Sequence, residues 1–127
     1  MAGANSRRLV LSTVCVGLLS TPVFADPAFK RLPSAEIRKA ITGKEITDGF
    51  HWSDSFHGDG KGKYTTLGRP KEGPWEIKDD MLCMVSHSRR NDNIECFEVW
   101  RSAGTIQYRQ PGNGAVIAEG QLKPLAK

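Results

Sequence analysis

The segment 51–60 holds two of the chain's three histidines, His51 and His57, and two aspartates, Asp54 and Asp59. Imidazole and carboxylate groups bind transition metals and transfer protons, so this density raises the question of a metal site or an acid/base pair. On an extended strand, however, the two histidines are about 20 Å apart, at 3.3 Å per residue. A metal ion bonds nitrogen at about 2.0–2.1 Å and does not bridge that distance. The spacing therefore favours a strand followed by a turn.

Alternation along this strand, which we predict over 50–57, indicates which side chains face the core. Residues two apart in a strand share a face, so the two histidines face solvent while the aromatic side chains face inward. The predicted inward face consists of Phe50, Trp52, Asp54 and Phe56. The Asp-Gly pair that follows at 59–60 predicts a type I′ hairpin turn, and the segment lacks the row of oxygen ligands that a calcium loop needs.

The third histidine lies in the sequence Ser86-His87-Ser88, where hydroxyl groups neighbour an imidazole. Adjacent strand residues point to opposite faces, and no Gly-x-Ser-x-Gly elbow surrounds these serines, so we predict a polar hairpin tip rather than a nucleophile. Arg89 and Arg90 follow, and such a pair either binds a carboxylate or phosphate or keeps a turn solvated. We take these two arginines as candidate partner contacts. No glycine-rich phosphate loop opens a helix, so we predict no catalytic, metal-binding or cofactor-binding residue.

The N-terminus has the pattern of a secretory leader. A basic pair precedes an apolar run over 9–19, and small residues follow at the positions that signal peptidase reads, ending at Ala25. We therefore predict a signal peptide over 1–25, cleaved between Ala25 and Asp26, and a periplasmic or secreted protein. Crossing a bilayer takes about 20 apolar residues, so this run is too short, and we predict no transmembrane segment in the mature chain.

Removal of this leader halves the formal net charge from +4 to +2, because the leader contains two arginines and no acidic residue. So small a charge gives no clustered basic stripe, and we predict no nucleic-acid partner. The remaining length supports one hydrophobic core and not two. We expect a polar lead-in over 26–32 and a single β domain over 33–127.

Short runs of alternating polarity, separated by turn-forming residues, occupy most of this domain. That pattern is typical of an all-β protein. No connection reaches the dozen residues that a parallel crossover needs, so sequence neighbours should pair antiparallel in an up-and-down meander. We predict a small barrel or sandwich of about eight strands, near 44–48, 50–57, 62–67, 74–78, 81–87, 93–101, 105–109 and 114–122.

One short helix is predicted before the strands, over 34–43. Ser34 occupies the capping position and Gly43 stops the helix. Its apolar stripe consists of Ile37, Ala40 and Ile41. So short a helix is marginal alone in water and must pack against the sheet.

Two hairpins fix the predicted register of the central strands. One turns at Asp79 and Asp80, and the other is centred between Arg89 and Arg90. A slip of one residue would break the apolar face and the cysteine alignment together. An even cysteine pair in an oxidising compartment predicts a disulfide, whereas Cys15 leaves with the leader. The predicted cross-strand pairs are Trp75 with Met84, Ile77 with Leu82, Leu82 with Phe97, Cys83 with Cys96, and Val99 with Tyr108.

Several short motifs carry a resemblance to a known family. They are Gly-Pro-Trp-Glu-Ile at 73–77, the acidic turn after it, Met-Leu-Cys at 81–83 and Cys-Phe-Glu-Val-Trp-Arg at 96–101. In these motifs, between Leu32 and about Tyr108, the chain resembles a family of small exported alpha-proteobacterial proteins of unknown function. The resemblance implies a small antiparallel β barrel or sandwich in the periplasm, and it implies no activity.

Together these patterns favour a non-enzymatic function over an enzyme. We predict a disulfide-stabilised periplasmic binding protein whose partner is a protein, an envelope polymer or a small ligand. One alternative is an inhibitor of a protease or lysozyme that inserts the loop 88–93 into a partner's cleft. Another is a small hydrolase that uses His51, His57 or His87 together with Asp54 or Asp59. A third is a metal-binding protein that uses the two histidines and the two aspartates of the segment 51–60. Eight-stranded barrels either fill with side chains or hold one small molecule, and we expect a filled core here.

Overall fold

The computed structural model describes residues 3, 14, 16–19, 28–88 and 90–125. Within them the chain forms one helix and nine strands. Their bounds are β1 Lys30–Arg31, α1 Ser34–Ile41, β2 Lys44–Thr47, β3 Trp52–Phe56, β4 Lys61–Thr66, β5 Arg69–Lys78, β6 Met81–Val85, β7 Ile94–Ser102, β8 Thr105–Arg109 and β9 Val116–Pro124.

The eight strands β2 to β9 form a closed antiparallel barrel. Each strand pairs with its neighbours in sequence, and β9 returns to pair with β2, which closes the sheet. The prediction of an all-β meander with one short helix is confirmed, as a barrel. The two-residue strand β1 lies in the predicted lead-in and extends the sheet beside β7, where Arg31 pairs with Trp100.

The predicted register of the central strands is confirmed. Trp75 pairs with Met84, Ile77 with Leu82, Leu82 with Phe97, and Val99 with Tyr108. On the same ladder Cys83 lies opposite Cys96, and the two form a disulfide. Glu95 pairs with Met84, beside the first residue of β7, and it is exposed to solvent.

Strand β5 begins at Arg69, earlier than the predicted residue 74. The cause is a tight hairpin at Leu67 and Gly68, which pairs Thr66 directly with Arg69. The segment 69–74, predicted as a turn from its prolines, therefore pairs with β4 instead. Strand β6 pairs with β5 only from Trp75 onward. Along 69–74, within the described chain, β5 therefore has a strand partner on one side only. No second described strand accepts a hydrogen bond from its backbone, so proline, which lacks the N–H group, is tolerated there.

The helix α1 packs against β2, β5 and β6 at one end of the barrel. Its predicted stripe is buried and joins the core, and Gly43 has the left-handed φ of 72° that ends it. Ser34 is not the N-cap as predicted but the first helical residue. Its N–H and hydroxyl both donate to Asp80 Oδ1, at 2.7 and 2.8 Å, so the β5–β6 turn caps the helix. Of the helices in the described residues, none is long and apolar enough to cross a membrane.

Aromatic rings in contact occupy the barrel interior. Phe56 lies edge-on to Trp75, with ring centroids 5.6 Å apart, and Phe97 stacks on Tyr108 at 5.9 Å. Trp52 is half-buried and contacts Tyr108 at 5.8 Å. Such pairs stabilise a core beyond the area that they bury. The aromatic residues therefore pack against one another along the barrel.

The two ends of the barrel differ. The helix end carries α1, the segment 57–60 and the two-residue turns at 79–80 and 103–104. The loop end carries four connections, at 48–51, 67–68, 86–93 and 110–115, of which Arg89 lies outside the described residues.

We expect the double substitution of Cys83→Ala and Cys96→Ala to lower the free energy of unfolding by about 3 kcal/mol, the chain-entropy value for a loop of this length. Urea unfolding of the oxidised protein and of the variant measures the difference. A thiol reductant should destabilise the native sequence to the same extent and leave the variant unaffected. Equal denaturation midpoints for the oxidised protein and the variant would contradict the stabilising role of the disulfide.

Candidate functional site

A buried carboxylate lies inside the barrel near the loop end. Asp54, on the inward face of β3, is completely buried. Its Oδ1 is 2.7 Å from His87 Nε2, and its Oδ2 accepts a hydrogen bond from the Tyr108 hydroxyl at 3.1 Å. Burying a carboxylate is costly unless both oxygens are satisfied. His87 and Tyr108 therefore each satisfy one oxygen of the Asp54 carboxylate.

His87 reaches the aspartate from the β6–β7 connection at the loop end. Its side chain is 32% exposed, so the ring lies between the core and solvent. Two aromatic rings flank it: Tyr64 is perpendicular to it, with ring centroids 6.2 Å apart, and Trp52 lies at 6.4 Å. The ring is thus fixed by one hydrogen bond and two aromatic contacts.

The carboxylate shifts the titration of the groups around it. The hydrogen bond to Asp54 raises the pKa of His87, against the opposing effect of burial. Burial, followed by the charge of Asp54, raises the pKa of Tyr108 well above its ordinary value, and the same two causes raise the pKa of Tyr64. Both tyrosines therefore remain protonated at neutral pH. Of these three groups, His87 has the ordinary pKa nearest to neutrality, at 6.5.

This arrangement can orient an imidazole and hold a proton on it. The second ring nitrogen, Nδ1, makes no hydrogen bond to another described residue. An acyl-transfer enzyme would need a nucleophile beside this imidazole. The nearby Ser86 Oγ instead accepts the Ser88 N–H, and within the described part of the chain no hydroxyl or thiol is hydrogen-bonded to His87. Of the histidine–aspartate pairs that the hydrolase alternative names, His87 with Asp54 lies within hydrogen-bond reach, at 2.7 Å.

A lysine anchors the connection that carries His87. The Lys71 ammonium on β5 donates to the carbonyl oxygens of Ser86, Ser88 and Asn91, at 3.1, 2.8 and 3.0 Å. It also forms an ion pair with Asp92 Oδ1 at 3.3 Å. One charged side chain thus satisfies three backbone acceptors of the segment 86–92. Charge-assisted hydrogen bonds are about twice as strong as neutral ones, so this anchor orders the connection.

A pocket of about 230 Å³ lies beside His87 and is lined by residues of β4 and β5. We call it the mouth pocket. Its lining residues are Tyr64, Thr66, Arg69, Pro70, Lys71 and His87. Arg69 is exposed there, and its side chain makes no hydrogen bond or ion pair with another described residue.

Sequence reasoning misplaced two residues of this region. Phe50 was expected in the core but is 91% exposed, because β3 begins only at Trp52 and the residues before it form a turn. His87 was expected at a solvated hairpin tip but turns inward to Asp54. The available signal was Asp54 itself, on a face with aromatic neighbours, since a carboxylate in a core needs a partner.

The two histidines of the segment 51–60 lie at opposite ends of β3. His51 is exposed at the loop end and contacts Asp48 Oδ2 through Nδ1 at 2.8 Å. His57 is exposed at the helix end, beside a groove of about 660 Å³ that also contains Asp59. In the described ranges no group of three or more His, Cys, Asp or Glu side chains is arranged to hold a metal ion.

Several predicted positions fall outside the described residues. These are the expected cleavage site at Ala25 and Asp26, the leader residue Cys15, and the first candidate contact, Arg89. The second candidate contact, Arg90, is exposed at the loop end, and its N–H donates to Ser88 Oγ at 3.3 Å.

Comparison with known proteins adds no further assignment. No protein-family model, no curated protein and no solved structure matches this chain. The resemblance to small exported proteins therefore stays a prediction from the sequence motifs.

We expect His87→Gln to destabilise the fold more at low pH than at high pH. Because the pKa of His87 is raised on folding, the stabilisation from its protonation is complete below the unfolded value of 6.5 and is lost as the pH rises through the folded value. The loss in free energy of unfolding should be about 1–3 kcal/mol at acidic pH and smaller at alkaline pH.

Urea unfolding at one acidic and one alkaline pH measures the loss in free energy of unfolding at each. His57→Gln is the matched control at an exposed site. The control should cost little at either pH. An equal loss for His87→Gln at both pH values would contradict a charged pair with Asp54.

Proposed function

We propose that this protein is an exported, non-enzymatic binding protein that contacts its partner with the loop end of the barrel. One observation carries the proposal. Between residues 28 and 125 of the described chain, every exposed large hydrophobic side chain lies at or beside the loop end: Phe50, Leu67, Ile94, Val116 and Ile117. Clustered exposed apolar side chains mark interaction surfaces. We call these five residues the apolar rim.

Phe50 has the properties of an interface anchor. Its side chain is 91% exposed, yet its backbone is held in place. The Asp48 carboxylate accepts the N–H groups of Phe50, His51 and Trp52, at 2.9, 2.7 and 3.1 Å. A rigidly held aromatic loses little conformational entropy on binding, and aromatic residues are enriched among binding hot spots.

Leu67 is the second argument, because its conformation has a local cost. It has a left-handed φ of 49°, which glycine or asparagine adopts readily and leucine does not. Its side chain is 63% exposed, so little burial offsets the strain. The tight hairpin at 67–68 requires this φ, as the turn at Ala103 does, but it does not require a large apolar side chain. An exposed leucine at this turn is consistent with a contact made by its side chain.

The charges at the loop end suggest the chemistry of the partner. Arg69 and Arg90 are both exposed there, whereas the exposed Asp92 carboxylate is paired with Lys71 and Glu95 lies farther along, on β7. A basic and apolar surface complements a protein surface that has an apolar depression edged by carboxylates. Export is supported by the predicted leader and by the Cys83–Cys96 disulfide, since disulfides persist in oxidising compartments.

We expect the double substitution of Phe50→Ser and Leu67→Asn to abolish capture of the partner without unfolding the protein. The mature protein serves as bait in a periplasmic extract, and mass spectrometry identifies what it retains. Lys39→Ser, on the exposed face of α1 at the helix end, is the matched control and should retain the same proteins. Identical capture by the double variant and the native protein would contradict binding through the apolar rim.

An inhibitor of a protease or lysozyme is the second candidate function, and the Lys71 anchor favours it. An inhibitory loop binds tightly when it is already ordered, because ordering it on binding costs free energy. The segment 86–93 has several internal hydrogen bonds besides the anchor, including Ser86 N–H to the Asn93 carbonyl at 2.8 Å. Arg90 on this segment carries a cation that suits a cleft lined by carboxylates.

The inhibitor hypothesis predicts micromolar or tighter inhibition of trypsin-like proteases or of lysozyme by the mature protein. Replacing Arg89 and Arg90 by alanine should weaken inhibition at least about 30-fold, as for a hot-spot arginine. Lys71→Met, which removes the anchor but no contact residue, should weaken it through lost order, whereas Lys63→Met on β4 should not. Enzyme assays with a chromogenic substrate and with cell walls measure the effect. Unchanged inhibition by the double alanine variant would contradict this version.

A further inference from the structure

We propose that the mouth pocket binds a small carboxylate, with the Arg69 guanidinium as the main anion contact and the His87 imidazole as the second. This inference rests on the proposed function, because it assigns a ligand class to the same end of the barrel. The loop end would then bind a small molecule in addition to a protein.

The side chains around the pocket favour an anionic ligand. Three of its six lining residues are basic and none is acidic. The Lys71 ammonium is already used by three carbonyl oxygens and Asp92. Arg69 has no such partner among the described residues, so its five N–H donors remain for a ligand. A guanidinium binds a carboxylate through two parallel hydrogen bonds.

The position of His87 leaves one ring nitrogen for a ligand. Asp54 contacts Nε2 from inside the barrel and fixes the ring, which leaves Nδ1 for a ligand. Once protonated, the imidazolium donates from both nitrogens. On its other side the ring borders a wider depression that contains Glu95, and that carboxylate repels an anion there. The two observations place an anionic ligand on the Arg69 side of the ring.

The size and walls of the pocket set the kind of carboxylate. Its volume of about 230 Å³ is below the usual range of about 300–1,000 Å³ for ligand pockets. The Tyr64 ring and Pro70 form apolar walls. A flat or short apolar body with one carboxylate fits both features. Benzoate is therefore the probe that we choose, and benzamide is its uncharged counterpart of similar size.

Binding should strengthen as the pH falls through the pKa of His87, because only the protonated ring attracts the anion. The charged and titratable groups that face this ring are Asp54 on β3, Tyr64 on β4, Arg69 and Lys71 on β5, Glu95 on β7, and Tyr108 on β8 through Asp54. The tyrosines stay neutral in this range. By linkage, bound benzoate should raise the pKa of His87.

The experiment is an NMR titration of the folded protein with benzoate, following the ring signals of the three histidines. We expect the His87 signals to move with a millimolar or lower dissociation constant, and those of His57 to stay unchanged. Arg69→Gln should weaken binding at least about tenfold, which corresponds to about 1.4 kcal/mol. Arg38→Gln, an exposed position on α1, is the matched control. Benzamide should cause no comparable shift.

The inference is overturned if benzoate moves no His87 signal at about 10 mM, or if Arg69→Gln binds as tightly as the native protein. A fold test by circular dichroism accompanies each variant, and Arg69→Lys should retain part of the affinity because it keeps the charge. If benzoate does not bind but the Phe50→Ser and Leu67→Asn variant still loses its partner, the pocket proposal fails and the proposal of binding through the apolar rim stands. Conversely, benzoate binding by that double variant would support the pocket independently of the rim.

Discussion

The buried charge of Asp54 is the constraint on which the loop end depends. A carboxylate enclosed by a β barrel has to be matched from inside, and here Tyr108 from β8 and His87 from the β6–β7 connection match it. The histidine is the more informative partner, because it belongs to a connection and not to the barrel wall. Because His87 has to reach Asp54, the β6–β7 connection lies over the end of the barrel. Lys71 then holds the carbonyl groups that this path leaves without strand partners.

The two ends of the barrel are stabilised by different means, and this difference separates structure from function. At the helix end, buried side chains of α1 and the cap from Asp80 complete the core. At the loop end, hydrogen bonds from polar side chains stabilise the connections: Asp48 orders one turn and Lys71 orders another. Apolar side chains such as Phe50 lie at the surface of this end. Binding residues on loops held by a rigid scaffold are a common arrangement in proteins.

Much of the barrel follows from local patterns in the sequence, whereas the Asp54 cluster does not. Alternation and the cysteine pair fixed the register from Trp75 to Tyr108, because a shift by one residue exposes the apolar face. The start of β5 was misjudged, since proline indicates a turn unless one edge of a strand lacks a partner. The pairing of Asp54 with His87 joins residues 33 positions apart, and no periodicity encodes such a contact. It arises only after the barrel closes and turns both side chains toward the same interior.

The position of the disulfide has a consequence for the segment 86–93. Cys83 and Cys96 flank this segment on neighbouring strands, 13 residues apart. A protease that cut one peptide bond between them would produce two polypeptides still joined by a covalent bond. Both halves of the barrel would keep their alignment across β6 and β7, and the new termini would stay close together. The nicked molecule would thus remain one covalently joined protein.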